Sequence, residues 1–71
     1  MAVGPENQTR ILRLLPVKQI TGLSRSTIYL KMQQGEFPRP ISLGARAVGW
    51  IEAEIRDWIR DRVIASRGGA E

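Results

Sequence analysis

Arg25, Ser26, Thr27, Tyr29 and Gln33 follow Ser24 at helical spacing, with Arg25, Tyr29 and Gln33 separated by four residues each. The set is rich in hydrogen-bond donors and holds no acid. Guanidinium, hydroxyl and amide groups in such a row bind phosphate oxygens or the polar edges of bases. Arg25 suits either a guanine taken bidentately or a phosphate, whereas the hydroxyls of Ser26, Thr27 and Tyr29 suit phosphates that fix register. Lys18 upstream and Lys31 within the row add attraction to a backbone without selecting bases. Arg39 and Arg46 carry the same basic character further along the chain.

Catalytic chemistry finds little support in the same residues. The chain has no His and no Cys, which removes the usual general base, the imidazole and thiolate metal ligands, and every Ser-His or Cys-His arrangement. Asp57 and Asp61 lie four apart, but they alternate with Arg56, Arg60 and Arg62 and read as a solvated charge pattern. No catalytic residue, metal or cofactor is expected. Trp50 and Trp58 fall at core positions of a strand and a helix and are expected to pack, not to stack on bases. No apolar run is long enough for a membrane span, and the first ten residues lack the apolar stretch of a secretory signal, so a cytoplasmic protein without a membrane partner is expected.

The charge is unevenly placed. Eleven Lys and Arg face seven Asp and Glu, a net +4. Residues 10–49 hold seven of the basic groups (Arg10, Arg13, Lys18, Arg25, Lys31, Arg39 and Arg46) and a single acid, Glu36, while the remainder of the chain is nearly balanced. A polyanion-facing part followed by a packing part would give this distribution.

These side chains need elements to hold them, and 71 residues suffice for one small domain with no disulfide to reinforce it. Residues 1–10 are expected to form a flexible arm, 11–66 the domain, and 67–71 a flexible tail. The apolar cluster Ile11, Leu12, Leu14 and Leu15 stops at Pro16, whose ring should push Leu15 to extended geometry and open a short helix over 16–21 that Gly22 ends. Ser24 is a good N-cap for a second helix over 24–34, with Leu23, Ile28 and Met32 turned inward. From Ile41 the period changes to two. Ile41 and Leu43, then Val48 and Trp50, predict a hairpin of two strands with Gly44 to Ala47 as its turn, Arg46 near the tip, and Gly49 leaving space opposite Trp50. Ile55, Trp58, Ile59 and Val63 mark the inward stripe of a last helix over 52–66. The fold class is mostly α with a small β-hairpin, a winged helix-turn-helix in a single domain.

A helix-turn-helix needs a supporting helix, a tight turn opening at glycine, an apolar residue to seat that turn, and a capped second helix. Val17 to Tyr29 meets each requirement. The second helix would enter a major groove of double-stranded DNA, and a hairpin behind it would act as a wing whose Arg46 reaches the adjacent minor groove or its phosphates.

Four segments in order, Gly22-Leu23-Ser24-Arg25-Ser26-Thr27-Ile28-Tyr29, Gly35-Glu36-Phe37-Pro38, Val48-Gly49-Trp50 and Glu54-Ile55-Arg56-Asp57-Trp58, resemble the AlpA family of phage regulatory proteins, which are similar to excisionases with a MerR-like winged helix. The resemblance spans about Ile11 to Arg60. It implies a DNA-binding regulator of a prophage or integrated element, acting on the bacterial nucleoid, that activates an integrase gene or serves as a recombination directionality factor. It carries Arg25, Ser26, Thr27, Tyr29 and Arg46 as DNA contacts and no catalytic residue. Leu30 departs from it, since family members often place a basic residue directly after the tyrosine. An exposed Leu30 would meet a thymine methyl, a neighbouring protomer, or neither.

The candidate DNA-binding set is therefore Lys18, Ser24, Arg25, Ser26, Thr27, Tyr29, Lys31, Gln33, Arg39 and Arg46. Because one such domain covers only part of a helical turn, several copies bound side by side are expected, with an integrase as a further partner. The rival reading is a basic interaction module, an anti-repressor or adaptor, docking on an acidic protein.

Overall fold

The computed structural model describes residues 9–68, so residues 1–8 and 69–71, which hold most of the expected arm and tail, lie outside the described residues. The elements run β1 (Ile11–Leu12), α1 (Leu14–Thr21), α2 (Arg25–Gln33), β2 (Ile41–Gly44), β3 (Ala47–Ile51) and α3 (Glu52–Arg67).

Helix α1 begins two residues before the expected start at Pro16, and Leu15 is helical instead of extended. Its first bond runs from the Val17 N–H to the Arg13 carbonyl at 3.1 Å. Pro16 thus occupies the opening turn, where the backbone N–H has no intrahelical acceptor and its loss removes no bond. Leu14, packed against the core, draws that turn into the helix. Gly22 closes α1 at φ 77°, its N–H bonded to the Lys18 carbonyl at 2.8 Å. This left-handed geometry is one that glycine adopts without the Cβ penalty.

Ser24 opens α2 as expected, accepting from the Thr27 N–H at 3.2 Å. The other end is closed by Gly35 at φ 73°, whose N–H bonds to the Met32 carbonyl while the Glu36 N–H bonds to that of Lys31. These paired bonds form a Schellman motif, which turns the chain sharply away from α2.

The expected hairpin is present as β2 and β3, antiparallel with Ile41 opposite Gly49 and Ser42 opposite Val48, and an irregularity between Ser42 and Gly44. A third strand joins it. The Ile11–Leu12 part of the apolar cluster, given no element of its own in the sequence reading, pairs with the far side of β3 (Ile11 with Ile51, Leu12 with Trp50), so the sheet order is β1-β3-β2. The register puts Leu12, Val48 and Trp50 on one face and Ile11, Ile41 and Ile51 on the other. Ile41 and Leu43, at 39% and 43% exposure, lie outside the core that Trp50 enters. Gly49 serves the outer face, with the Ile11 side chain over it instead of Trp50.

The core takes one fully buried residue from each helix and from β3 (Val17, Ile28, Ile55 and Trp50) together with Phe37 from the link between α2 and β2. Leu12, Leu14, Leu23, Met32, Trp58 and Ile59 close around them. Along α3 the expected stripe holds for Ile55, Trp58 and Ile59 but not for Val63, which is 41% exposed because the helix has passed the edge of the core. The start of α3 is tied back to the beginning of the domain. The Glu52 N–H donates to the Arg10 carbonyl at 2.8 Å, and the Glu52 carboxylate pairs with Arg10 and Arg56. Arg10, assigned to the arm by sequence, is thereby fastened to the fold.

Gly49→Ala tests the packing of the sheet. The new methyl would overlap Ile11 Cγ2 and stand 3.1 Å from Leu43 Cδ1 and 3.2 Å from the Leu12 carbonyl oxygen. Overpacking of this kind costs about 1–3 kcal/mol. Urea unfolding should show that loss in the single variant and a smaller one when Ile11→Ala is added.

Candidate nucleic-acid interface

The helix-turn-helix is built by short-range bonds. Thr21 Oγ1 donates to the Val17 carbonyl at 2.7 Å and accepts from the Leu23 N–H at 3.2 Å, so the last residue of α1 fixes the turn that follows. Ser24 Oγ also donates to Thr27 Oγ1 at 3.0 Å. Ser24 is therefore engaged in capping, and Thr27 keeps its own hydroxyl proton for another acceptor.

Ile28 and Met32 direct α2 inward and leave three rows outside. Arg25 and Tyr29 form one flank, where the Arg25 guanidinium carbon lies 5.6 Å from the centre of the Tyr29 ring. Arg25 is exposed and Tyr29 half-buried. Ser26, Leu30 and Gln33 form the outermost row, and all three are exposed. Thr27 and Lys31, both half-buried, form the other flank. From Arg25 to Gln33 the helix advances about 12 Å at 1.5 Å per residue, close to the width of a major groove.

The candidate residues do not all meet in one place. Tyr29, Gln33 and Arg39 come together with Met32 and Pro40 around a concavity of about 430 Å³, which joins the end of α2 to the start of the wing. Lys31 is turned toward α3 instead. It lines a broader groove of about 640 Å³ with Phe37 and Trp58, among the carboxylates of Glu36, Glu54, Asp57 and Asp61. Arg62 lines the same groove, and Lys31 makes no ion pair with any of these acids. Lys18 is half-buried on α1, and Arg39 and Arg46 are exposed. Of the other lining residues, Met32 is one that helical spacing places in the core, and Pro40 carries no side-chain donor that could mark it as part of a site. Helical spacing was the one available sign that Leu30 stands between Ser26 and Gln33.

Arg46 sits at the tip of the wing with φ 61°, the only non-glycine residue in the left-handed region among the described residues. A side chain in that conformation costs about 1–2 kcal/mol. The tight turn between β2 and β3 calls for a left-handed residue there.

Ion pairs engage some basic groups in each half, Arg10 in the first and Arg56 and Arg60 in the second, and leave others, Arg62 and Arg67 of α3 included, without a partner among the described residues. Arg56 pairs with Glu52 at 3.1 Å and Arg60 with Asp57 at 3.2 Å, both on α3. Lys18, Arg25, Lys31, Arg39 and Arg46 have no ion-pair partner among the described residues. Those residues also contain no group of acids able to hold a metal ion and no helix long and apolar enough to cross a membrane.

Residues 10–63 match the family model described as Prophage CP4-57 regulatory protein (AlpA). The chain is 42% identical over 62 residues to the Uncharacterized protein ORF88 of Enterobacteria phage P4, covering 87% of this chain and 70% of that protein. It is 46% identical over 59 residues to the DNA-binding transcriptional activator AlpA of Escherichia coli (strain K12), covering 75% of this chain and 84% of the relative.

Two substitutions separate support from contact. Ser24→Ala should lower stability by about 1 kcal/mol through loss of the cap, read as a fall in the thermal midpoint. Arg46→Gly should raise stability by up to about 1 kcal/mol, because glycine relieves the left-handed strain at the wing tip.

Proposed function

The chain belongs to the AlpA family of prophage regulatory proteins, and on that premise we propose that it is a double-stranded DNA-binding regulator with α2 in the major groove and the β2–β3 wing on the adjacent minor groove or backbone. One observation carries the reading: a helix-turn-helix and a wing stand on the same small fold, and Lys18, Arg25, Lys31, Arg39 and Arg46 on and between them have no ion-pair partner among the described residues. Unneutralised Lys and Arg release counterions from DNA on binding, whereas paired ones have already given up much of that gain.

In this reading Arg25 supplies the strongest single contact, to a guanine edge or a phosphate. Ser26, Thr27 and the Tyr29 hydroxyl donate to phosphates and set the register of the helix. Gln33 and Arg39, joined to Tyr29 by the concavity beside the wing, extend the contact toward its base, and Arg46 reaches from the tip. Lys18 adds long-range attraction. Lys31 contributes less than its charge suggests, because it faces the groove beside α3, whose carboxylates offset the local positive field.

The regulated process is proposed to be the fate of an integrated element, through activation of an integrase gene, direct action as an excision factor, or both. The E. coli relative is named as a transcriptional activator, which favours the first role. One domain presents one recognition helix and one wing, a footprint of about 600–1,000 Å². Several copies on repeated sites would supply the affinity that a single footprint lacks. Recovery of bound genomic fragments tests the role directly: enrichment at an integrase promoter supports activation, and enrichment at an attachment site supports excision.

Duplex titrations test the surface. Arg25→Ala should weaken binding by about 1–3 kcal/mol if it takes a guanine, with relaxed preference at one base pair. Arg46→Ala should weaken binding to all sequences and reduce the slope of log affinity against log salt by about 1. Unchanged titration curves for both variants would remove this surface from the interface.

A further inference from the structure

We infer that Leu30 is a specificity-determining residue that reads the 5-methyl group of a thymine on the floor of the major groove. The inference rests on the DNA-binding reading above and deepens it. Leu30 lies two residues from each of Ile28 and Met32, about 160–200° around the helix from the side that enters the core. It is 52% exposed, although its neighbours on the inward side are buried or half-buried. Ser26 stands one turn before it and Gln33 nearly one turn after it, so a hydrocarbon side chain occupies the middle of an otherwise polar row.

Position in the row decides which part of DNA this side chain meets. With α2 lying in the groove, its flanks, Arg25 with Tyr29 on one side and Thr27 on the other, approach the phosphate walls. The outermost row approaches the base edges. Those edges present nitrogen and oxygen donors and acceptors at every base pair, and one apolar group, the thymine methyl. A leucine pressed on a polar edge strips it of water and returns no hydrogen bond. Pressed on a methyl, it buries hydrocarbon against hydrocarbon. Gln33 reads or tolerates a polar edge on one side, the small Ser26 reaches past the edges to a phosphate on the other, and the thymine is fixed between them.

The test uses the full chain and a preferred duplex selected from random sequence. Each thymine in that duplex is replaced singly by uracil, which removes the methyl and keeps the Watson–Crick pairing. The parent chain should lose about three- to fivefold in affinity at one uracil position, the effect of one buried methyl-sized group. Leu30→Ala should bind the thymine and uracil duplexes alike, and Leu30→Met, which keeps an apolar tip, should retain most of the discrimination. Alanine is the better helix former at this exposed position, so folding, checked by circular dichroism, should be intact.

An equal uracil penalty in the parent and in Leu30→Ala, or no penalty at any position, overturns the assignment while leaving DNA binding in place. Loss of cooperativity between adjacent sites without any change in discrimination would also overturn it and give Leu30 to a contact between copies. Failure of the parent to bind any duplex at low salt would overturn the DNA-binding reading and this inference with it.

Discussion

Two indole N–H groups hold the segment that joins α2 to the wing. Trp58 of α3 donates to the Glu36 carbonyl at 2.7 Å, and Trp50 of β3 donates to the Pro38 carbonyl at 3.0 Å. Between those carbonyls Phe37 is buried, its ring edge-on to Trp58 with centroids 4.8 Å apart. Aromatic pairs in this arrangement gain energy beyond the area they bury, and a buried indole needs an acceptor for its N–H. A link of irregular backbone would otherwise leave the hairpin free to swing about the end of α2. Here the link is a structural member, and the separation between helix and wing is set by it.

The same clamp organises the charge. By anchoring Glu36 to Trp58 it brings the solitary acid of the basic segment to α3, where it joins Glu54, Asp57 and Asp61 around one groove. The outer surface of α2 and the wing tip are left without acids. Net charge of +4 is modest for a chain that meets a polyanion, yet segregation makes the local field stronger than the total suggests. The ion pairs of α3 carry little energy of their own, since exposed pairs contribute about 0–1 kcal/mol.

The sequence made the helix-turn-helix legible because its determinants are local: Gly22 and Ser24 mark the turn, and Ile28 with Met32 mark the inward stripe within eleven residues. The wing was legible for the same reason. What escaped was whatever depended on distant residues. Strand β1 has two residues and its partner lies forty positions away, so no periodicity could announce it. Alternation in β2 showed that Ile41 and Leu43 differ from Ser42 but could not say which face meets the core, and the answer came from the register with Gly49. Pro16 misled because a proline reads as a boundary, while the first turn of a helix accepts it without losing a bond. Val63 continued a periodic stripe beyond the point where any partner remained. Of the candidate site, the separation of Arg25 and Tyr29 from the inward Ile28 and Met32 was visible in the spacing, whereas the place of Gln33 beside Arg39 and of Lys31 beside α3 required the folded chain.

The seam between β1 and β3 has a consequence for how this domain assembles. It closes a loop of about forty residues that contains the whole of α1, α2 and the hairpin, and loop closure of that length carries an entropy cost that only contacts across the seam and the core can offset. The turn bonds around Thr21 and Ser24 are too few to keep the two short helices ordered alone. Melting should therefore be all-or-none, with no partly folded species that retains the recognition helix. In a regulator assembled this way, the unfolded fraction is silent, and the amount of active protein tracks the stability of a two-residue seam that lies outside the helix-turn-helix.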